Sequence, residues 1–170
     1  MLVPDSMTFG SSAAHQQVGK ILVDENRLEA VIRLPSGVFR PHAAISTAIL
    51  LFTRGGRSED IFFFDVQADG RTLDDKREKI APDNSWQDLD VLREAWTKWN
   101  HGQRSGWFQS RTEQAFCVSA AEIAANGFDL SVARYKEIIC VEPQLDPPED
   151  RKSTRLNSSH SSVSRMPSSA

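Results

Sequence analysis

The 170 residues, 39% hydrophobic and 25% charged, suffice for one domain with a modest core but include no apolar run near the roughly 20 residues of a membrane helix. Four of the 20 basic residues but one of the 23 acidic residues follow residue 149, so residues 1–149 hold 16 basic and 22 acidic residues, a net charge of −6. Because phosphate contacts supply most non-specific affinity for DNA, this charge argues against a stand-alone DNA-binding domain.

The N-terminal segment predicts the end of a strand followed by a helix. Met1–Pro4 has the pattern of the last residues of a strand. Ser11 or Ser12 is a typical N-cap for a helix that extends to about Asn26. One face of this helix is apolar, and we expect that face to pack on the sheet. The face consists of Ala14, Val18, Ile21 and Leu22.

Two apolar runs then predict the central strands. Leu28–Leu34 and Ile45–Thr53 are typical of strands that are buried on both faces of an α/β sheet. Pro35 and Pro41 interrupt regular structure between them, so Phe39 lies in a loop beyond a strand end. Ligands of open α/β sheets bind outside the carboxyl ends of strands. The pattern alone leaves open whether Phe39 binds a ligand or caps the core.

A run of three phenylalanines predicts a further strand, Ile61–Val66. The short Gly-Gly turn before it predicts antiparallel pairing with Ile45–Thr53. The phenylalanines favour a buried core over a platform on which nucleic-acid bases stack. We interpret the charged segment Arg71–Lys79 as a solvated loop, in which Asp74 and Asp75 form an ordinary surface pair.

The remaining elements are a helix, a strand and a short helical segment. Ser85 and Asp88 form a capping-box pattern that begins the helix. Its apolar stripe should dock on the sheet. The stripe consists of Leu89, Leu92, Trp96 and Trp99. Ala115–Val118 predicts a short strand. Further on, Ser119 and Glu122 predict the cap of a brief helix that ends at Asn126-Gly127, and Arg134 and Tyr135 are expected to be surface packing residues.

The cysteines and histidines predict neither a disulfide nor a metal site. Cys117 and Cys140 are far apart in sequence, which favours buried thiols in a reducing compartment. The four histidines have no ligand spacing with either cysteine. The N-terminus also lacks the basic start of a signal peptide. We therefore expect a cytoplasmic protein without a bound metal ion.

The end of the chain differs in composition from the rest. Residues 141–149, VEPQLDPPE, form a linker rich in proline and acidic residues. Residues 150–170 are serine-rich and cannot bury enough apolar surface to fold. The run DRKSTRLNSSH at the start of this tail matches the translation of a high-throughput sequencing adapter. We interpret residues 150–170 as translated adapter and exclude them from the predicted fold.

Five segments in order resemble adenine-specific DNA methyltransferases, above all the modification subunit of type I restriction–modification systems. They are VPDSMTFGSS from Val3, VDENRLEAVIRLPSGVF from Val23, LPSGVFRPHAAISTAILLFTRGG from Leu34, LDDKRE from Leu73 and NGFDLSVARYKE from Asn126. The resemblance covers roughly residues 1–142. The family usually has glycine where Ser6 and Ala44 stand, and tyrosine where His42 and Phe128 stand.

The resemblance implies an α/β fold, namely the C-terminal part of a Rossmann-like S-adenosylmethionine-dependent methyltransferase domain over residues 1–140. It implies a mixed sheet with an antiparallel strand near one edge. The family holds the cofactor at a glycine-rich turn and the adenine at an Asn/Asp-Pro-Pro-aromatic loop, and it places both upstream of this segment. No Gly-x-Gly occurs here, and the one Pro-Pro pair lies in the linker. We therefore expect no catalytic or cofactor-binding residue, and an open sheet edge at Leu28–Leu34 where the central strands would be missing.

The resemblance also implies a site for the target base. An enzyme that modifies a base within a duplex must flip it out and hold it. In related methyltransferases an aromatic residue in the loop before the last antiparallel strand stacks on this adenine, and Phe39 is the matching position, with Pro41 and His42 as the pocket wall. The implied partners are a specificity subunit, a restriction subunit and double-stranded DNA held through the complex.

Two alternatives stay open. The chain could be a non-catalytic interaction module, because tryptophans are enriched at interfaces. Those tryptophans are Trp86, Trp96, Trp99 and Trp107. It could also belong to a single-chain adenine methyltransferase of another restriction class, in which the recognition domain is fused to the catalytic domain.

Overall fold

The computed structural model describes residues 1–8, 12–80, 87–102 and 108–137. The chain divides into two compact units, Met1–Ile139 and Cys140–Ala170, and the described residues all lie in the first. Several predictions fall outside the described residues. They concern the linker at 141–149, the tail at 150–170, Cys140, Ser11, Ser85, Trp86 and Trp107.

A five-stranded mixed sheet organises the described part of the chain, as an α/β fold requires. Its strands are β1 (Leu2–Pro4), β2 (Arg27–Leu34), β3 (Thr47–Thr53), β4 (Asp60–Asp65) and β5 (Ala115–Ser119). Their order in the sheet is β1-β3-β2-β4-β5. β2 and β4 are parallel, and the other neighbouring pairs are antiparallel. The predicted mixed sheet with an antiparallel strand near one edge is confirmed.

Four α-helices are found in the described residues. They are α1 (Ala13–Lys20), α2 (Asp88–Asn100), α3 (Ala120–Ala125) and α4 (Val132–Tyr135). The Ser12 hydroxyl caps α1 by accepting from the His15 N–H at 3.4 Å, and a π-helical turn, Ile21–Glu25, extends the helix towards β2. The Ser119 hydroxyl caps α3 in the same way, as predicted. No helix among the described residues is long and apolar enough to cross a membrane.

The predicted neighbour of β4 is wrong. β4 runs opposite to β3, as expected, but it does not pair with β3. It pairs with β2, on the side of β2 that faces away from β3. The six residues that connect β3 to β4 can span about 20 Å, whereas two strand spacings are about 10 Å. A position between two strands buries the phenylalanines on both faces, which an edge hairpin would not do.

The predicted open edge at Leu28–Leu34 is also wrong. β2 pairs with β3 on one side and β4 on the other, so it is the middle strand of the five. The sheet edges in the described residues are β1 and β5. β3 and β4, both later in sequence, take up the two edges of β2, and this local closure does not depend on upstream strands.

The core lies on both faces of the sheet. The ring of Phe63 packs with Phe116 on one face, at a centroid distance of 5.5 Å. Phe62 and Phe64 point to the other face, because side chains alternate along a strand. There the stripe of α2 covers them, and Trp96 packs edge-on against Phe62 at 5.5 Å. The predictions of a buried phenylalanine run and of a docking stripe on α2 are confirmed.

The predicted apolar face of the first helix is confirmed at Leu22 and is wrong at its other members. Val18 and Ile21 are 40% and 37% exposed, and Ala14 is exposed as well. Gly19 faces the core together with Leu22. A Cβ at Gly19 would collide with the backbone of Phe128, so the helix packs through the residue that has no side chain. Close packing through glycine carries no hydrophobic signal, which is why periodicity pointed to the wrong face.

Tyr135, expected at the surface, is buried. Its ring packs against Phe63 at 5.4 Å and its hydroxyl donates to the Asp129 carbonyl at 2.7 Å. Desolvation by burial, with a smaller contribution from the charge of Asp129, raises the pKa of Tyr135 to about 12. A neutral phenol is therefore favoured in the folded state.

The single tyrosine allows a direct test of this packing. Since the pKa is raised on folding from 10.0 to about 12, the stabilisation by the neutral phenol should be fully present below pH 10 and lost as the pH rises to about 12. Urea unfolding of the chain and of Tyr135→Phe should be compared across this pH range. At neutral pH the unsubstituted chain should be more stable than the variant by about 1 kcal/mol. As the pH rises above 10 this difference should shrink and then reverse, so that the unsubstituted chain becomes the less stable of the two. A difference independent of pH would contradict this burial.

Candidate functional site

The loop between β2 and β3 presents Phe39 at the surface. Phe39 is 36% exposed, and both Pro41 and His42 are exposed beside it. The Phe39 carbonyl accepts hydrogen bonds from the backbone N–H groups of His42 and Ala43, each at 3.0 Å. Phe39 thus lies on a hydrogen-bonded turn and belongs to neither of the two buried core clusters.

The parallel pairing of β2 and β4 brings a second loop to the same edge. In the register of this pair Arg33 lies opposite Asp65, so both strands end together. The loop that carries Phe39 follows β2, and the segment 67–80 follows β4. The two meet where the backbone of Gly37 approaches Leu73 and where the Arg40 guanidinium donates to Asp75 at 2.9 Å.

The segment after β4 is a mostly exposed loop, as predicted, and it is also ordered by its own hydrogen bonds. It is closed by an antiparallel bridge between Arg71 and Lys79. The Asp74 carboxylate accepts from the Thr72 hydroxyl at 2.7 Å and from the backbone N–H groups of Lys76 and Arg77. The hydrogen bond from Thr72 is the largest cause of a lowered pKa for Asp74. Asp74 and Asp75 are both exposed, as predicted for a surface pair; in addition Asp74 shapes the turn and Asp75 binds the neighbouring loop.

A buried ion pair lies beneath this turn. The Arg77 guanidinium contacts the buried carboxylate of Asp69 and also donates to the Thr72 carbonyl at 2.8 Å. Arg77 has a positive φ of 51°, which positions its side chain under the turn. This pair fixes the turn from the inside, whereas the Arg40–Asp75 pair is exposed on both partners.

A second charged cluster lies at the ends of the same two strands. The buried carboxylate of Asp65 accepts from Arg33 at 3.2 Å and from the Lys136 ammonium at 2.7 Å, and Arg33 also contacts Asp5 at 3.1 Å. Burial alone would lower the pKa of Arg33, but the hydrogen bonds and charges of Asp5 and Asp65 hold it above its ordinary value. Sequence reasoning missed this cluster. Its only signal is an arginine and an aspartate that end two apolar strands.

The cluster borders a cleft of about 620 Å³. Phe39, Pro41 and His42 do not line it, nor do they line the apolar cavity of about 240 Å³ beside β1. The three predicted site residues are together on one exposed loop.

The described residues do not fit the expected cofactor or a metal ion. β1 is followed by the short turn Asp5–Met7, and residues 1–142 contain no Gly-x-Gly sequence, so this strand has no glycine-rich turn after it. Within the described ranges no group of three or more His, Cys, Asp or Glu side chains could hold a metal ion.

Comparisons with known proteins place the chain among DNA methylases. The family model described as N-6 DNA Methylase matches residues 1–142. The methylase subunit of the type I restriction enzyme EcoEI from Escherichia coli is 29% identical over 140 residues, which are 78% of this chain and 26% of that protein. The MpnII methylase subunit from Mycoplasma pneumoniae is 27% identical over 134 residues, 77% of this chain and 22% of the relative. The chain thus spans about a quarter of the length of these relatives.

Solved structures show the same fold. A type I restriction–modification methyltransferase subunit from Streptococcus thermophilus superposes with a TM-score of 0.57 at 22% identity, covering 81% of this chain and 26% of that one. A structure of a type I R-M system that describes complex assembly gives a TM-score of 0.56 at 23% identity, covering 76% of this chain and 26% of that one. At these identities the similarity establishes the fold of the described sheet and helices.

The buried and exposed ion pairs of the turn should differ in their effect on stability. Asp69→Asn leaves the Arg77 guanidinium without its buried counter-charge, and we expect a loss of about 3–5 kcal/mol in the free energy of unfolding. The matched substitution Asp75→Asn removes an exposed pair and should cost about 0–1 kcal/mol. Urea unfolding of both variants measures this, and equal losses would contradict the assignment of Asp69 as the anchor of the turn.

Proposed function

Because this chain belongs to the N-6 DNA methylase family, we propose that it is the C-terminal part of the catalytic domain of a site-specific adenine DNA methyltransferase from a type I restriction–modification system. Such an enzyme transfers a methyl group from S-adenosylmethionine to the exocyclic amino group of adenine. The observation that carries the proposal is the exposed ring of Phe39 on the loop at the carboxyl end of β2.

In this proposal Phe39 stacks on the target adenine after it leaves the duplex. A flipped base loses its stacking and pairing partners, and a flat aromatic surface replaces part of what is lost. Stacking on an aromatic side chain contributes roughly 1–3 kcal/mol per base. Pro41 and His42 flank the ring on the same exposed loop and would form the adjacent wall.

The cofactor site and the catalytic Asn/Asp-Pro-Pro-aromatic loop would come from other parts of the protein. The proposed role of this chain is therefore binding and orientation of the base, not the transfer step itself. Because residues 1–149 carry a net charge of −6, other polypeptides would bind the phosphate backbone of the DNA. In a type I system these would be the specificity subunit, with the restriction subunit as a further partner, in the cytoplasm of a prokaryote.

Two other candidate functions can be compared with the geometry. A protein-interaction module would present its tryptophans, but Trp96 and Trp99 pack on Phe62 at 5.5 and 5.6 Å, which favours a role in the core. A single-chain adenine methyltransferase of another restriction class would use the same loop in the same way. The two classes differ in whether the DNA recognition domain lies in the same polypeptide.

Replacing the ring should weaken capture of the flipped base. In the full-length enzyme that carries this segment, Phe39→Ala should lower affinity for the flipped adenine roughly 5- to 150-fold, the equivalent of about 1–3 kcal/mol. Fluorescence of aminopurine at the target position reports this directly, because the analogue brightens when it leaves the stack. Phe39→Tyr keeps an aromatic face of nearly the same size and should retain the signal.

Val91→Ala provides a matched control, because Val91 is also an exposed apolar residue but lies on α2. It should leave the aminopurine signal unchanged. If Phe39→Ala and Val91→Ala gave the same signal as the unsubstituted enzyme, Phe39 would not hold the base and the proposal for this loop would fail.

The isolated 170-residue chain should not methylate DNA. Its sequence has no Gly-x-Gly turn and no Asn-Pro-Pro-aromatic motif, so neither the cofactor nor the nucleophile is positioned. Incubation of the purified chain with adenine-containing duplex and radiolabelled S-adenosylmethionine measures the transfer. Incorporation of label above that of a protein-free reaction would contradict this assignment of roles.

A further inference from the structure

The geometry points to a positioning element for the base-binding loop, and we propose that the turn at residues 70–80 is this element. The inference rests on the proposed role of Phe39 and adds a named set of positioning residues to it. Gly37 abuts the turn at Leu73, Arg40 pairs with Asp75, and the buried Asp69–Arg77 pair fixes the turn itself.

The closest approach between the loop and the turn is at Gly37. A Cβ at this position would lie 2.5 Å from the Leu73 carbonyl oxygen and 3.0 Å from the Leu73 Cβ, so only glycine fits. The φ of Gly37 is +99°, a conformation that glycine adopts freely and L side chains rarely do. Gly37 lies two residues before Phe39, and its carbonyl accepts from the Arg40 N–H at 3.1 Å. The residue that touches the turn therefore also closes the backbone bend that carries the ring.

The turn keeps its shape without help from the Phe39 loop. The Thr72 N–H donates to the Glu78 carbonyl at 2.8 Å, and the Ile80 N–H donates to the Gly70 carbonyl at 3.0 Å. The Arg77 guanidinium lies beneath these bonds, between the Thr72 carbonyl and the buried Asp69 carboxylate. A segment with its own hydrogen-bonded closure and a buried charge anchor is a fixed surface against which a neighbouring loop can be placed.

The two contacts between the loop and the turn differ in how firmly they hold the loop. The Arg40–Asp75 pair is exposed, with 37% and 73% of the two side chains accessible, and exposed pairs stabilise only weakly. The Gly37–Leu73 contact is backbone against backbone and cannot be relieved by turning a side chain. Gly37 should therefore set the position of the ring, and the ion pair should limit rotation of the loop about it.

A loop held in place before the base arrives loses less freedom on binding, and misplacement of a positioned group by about 1 Å can reduce rate about 100-fold. The positioning role therefore concerns capture and orientation of the flipped base. It does not concern attachment to the DNA backbone, so the two can be measured separately in the same complex.

The test uses the full-length enzyme with its DNA-binding subunits and a duplex that carries aminopurine at the target position. Two quantities are measured for each variant: the anisotropy-based affinity for DNA and the fluorescence gain at saturation. Gly37→Ala should reduce the fluorescence gain and kcat/KM on the order of 10- to 100-fold, with DNA affinity unchanged. Arg40→Asp or Asp75→Arg should each reduce the gain about two- to fivefold, and the double charge reversal should restore it.

Arg93→Asp is the matched control, because Arg93 forms an exposed ion pair with Asp90 within α2 and lies on a different element. It should leave both quantities unchanged. If Gly37→Ala fails to fold, the charge reversals at Arg40 and Asp75 test the positioning role instead, because both residues are exposed and neither is part of the core. Loss in each single variant with recovery in the double variant supports the positioning role. Single reversals that match Arg93→Asp, or a folded Gly37→Ala with a normal fluorescence gain, overturn it.

Phe39→Ala, measured in parallel, separates this inference from the proposed function. If Phe39→Ala loses the fluorescence gain while the Gly37, Arg40 and Asp75 variants keep it, Phe39 binds the base and the turn does not position it. If Phe39→Ala itself keeps the gain, the proposed function of the loop fails and the positioning role fails with it.

Discussion

The parallel pairing of β2 with β4 is the constraint on which the candidate site depends. Parallel strands end at the same edge of a sheet, so the loop after β2 and the turn after β4 become neighbours. The register that sets Arg33 opposite Asp65 fixes how far each strand extends before its loop begins. β2 pairs with β3 along one edge, and the pairing with β4 occupies its other edge. The phenylalanine run of β4 is buried between two packed layers.

Charges at this edge are placed where the strands end rather than within them. Arg33 and Asp65 lie near the ends of β2 and β4, and Lys136, from the residue after α4, completes the cluster. A buried carboxylate with two cationic partners is compensated, whereas removal of one partner would leave a costly unpaired charge. The cluster therefore ties the end of the described chain to the sheet at the same edge as the Phe39 loop.

Much of the fold could be predicted from local pattern, and the limits have a common cause. The strands, the buried phenylalanines, the Ser12 and Ser119 caps and the stripe of α2 depend on residues close in sequence. The neighbour of β4, the interior position of β2 and the Asp69–Arg77 anchor depend on contacts between distant segments or on a positive φ, for which periodicity gives no signal. Likewise the exposure of Phe39 followed from its loop prolines, and the charges of the turn that abuts Gly37 correctly indicated an exposed segment but gave no sign of its internal ion pair.

The proposed contact between the ring of Phe39 and the adenine that leaves the duplex can be tested directly. The most direct measurement is photo-crosslinking of the full-length enzyme to a duplex with iodouracil in place of the target adenine, followed by mass spectrometry of the linked peptide. Iodouracil couples to aromatic side chains that stack on it, so a crosslink at Phe39 is expected. A crosslink at another residue, with none at Phe39, would contradict it.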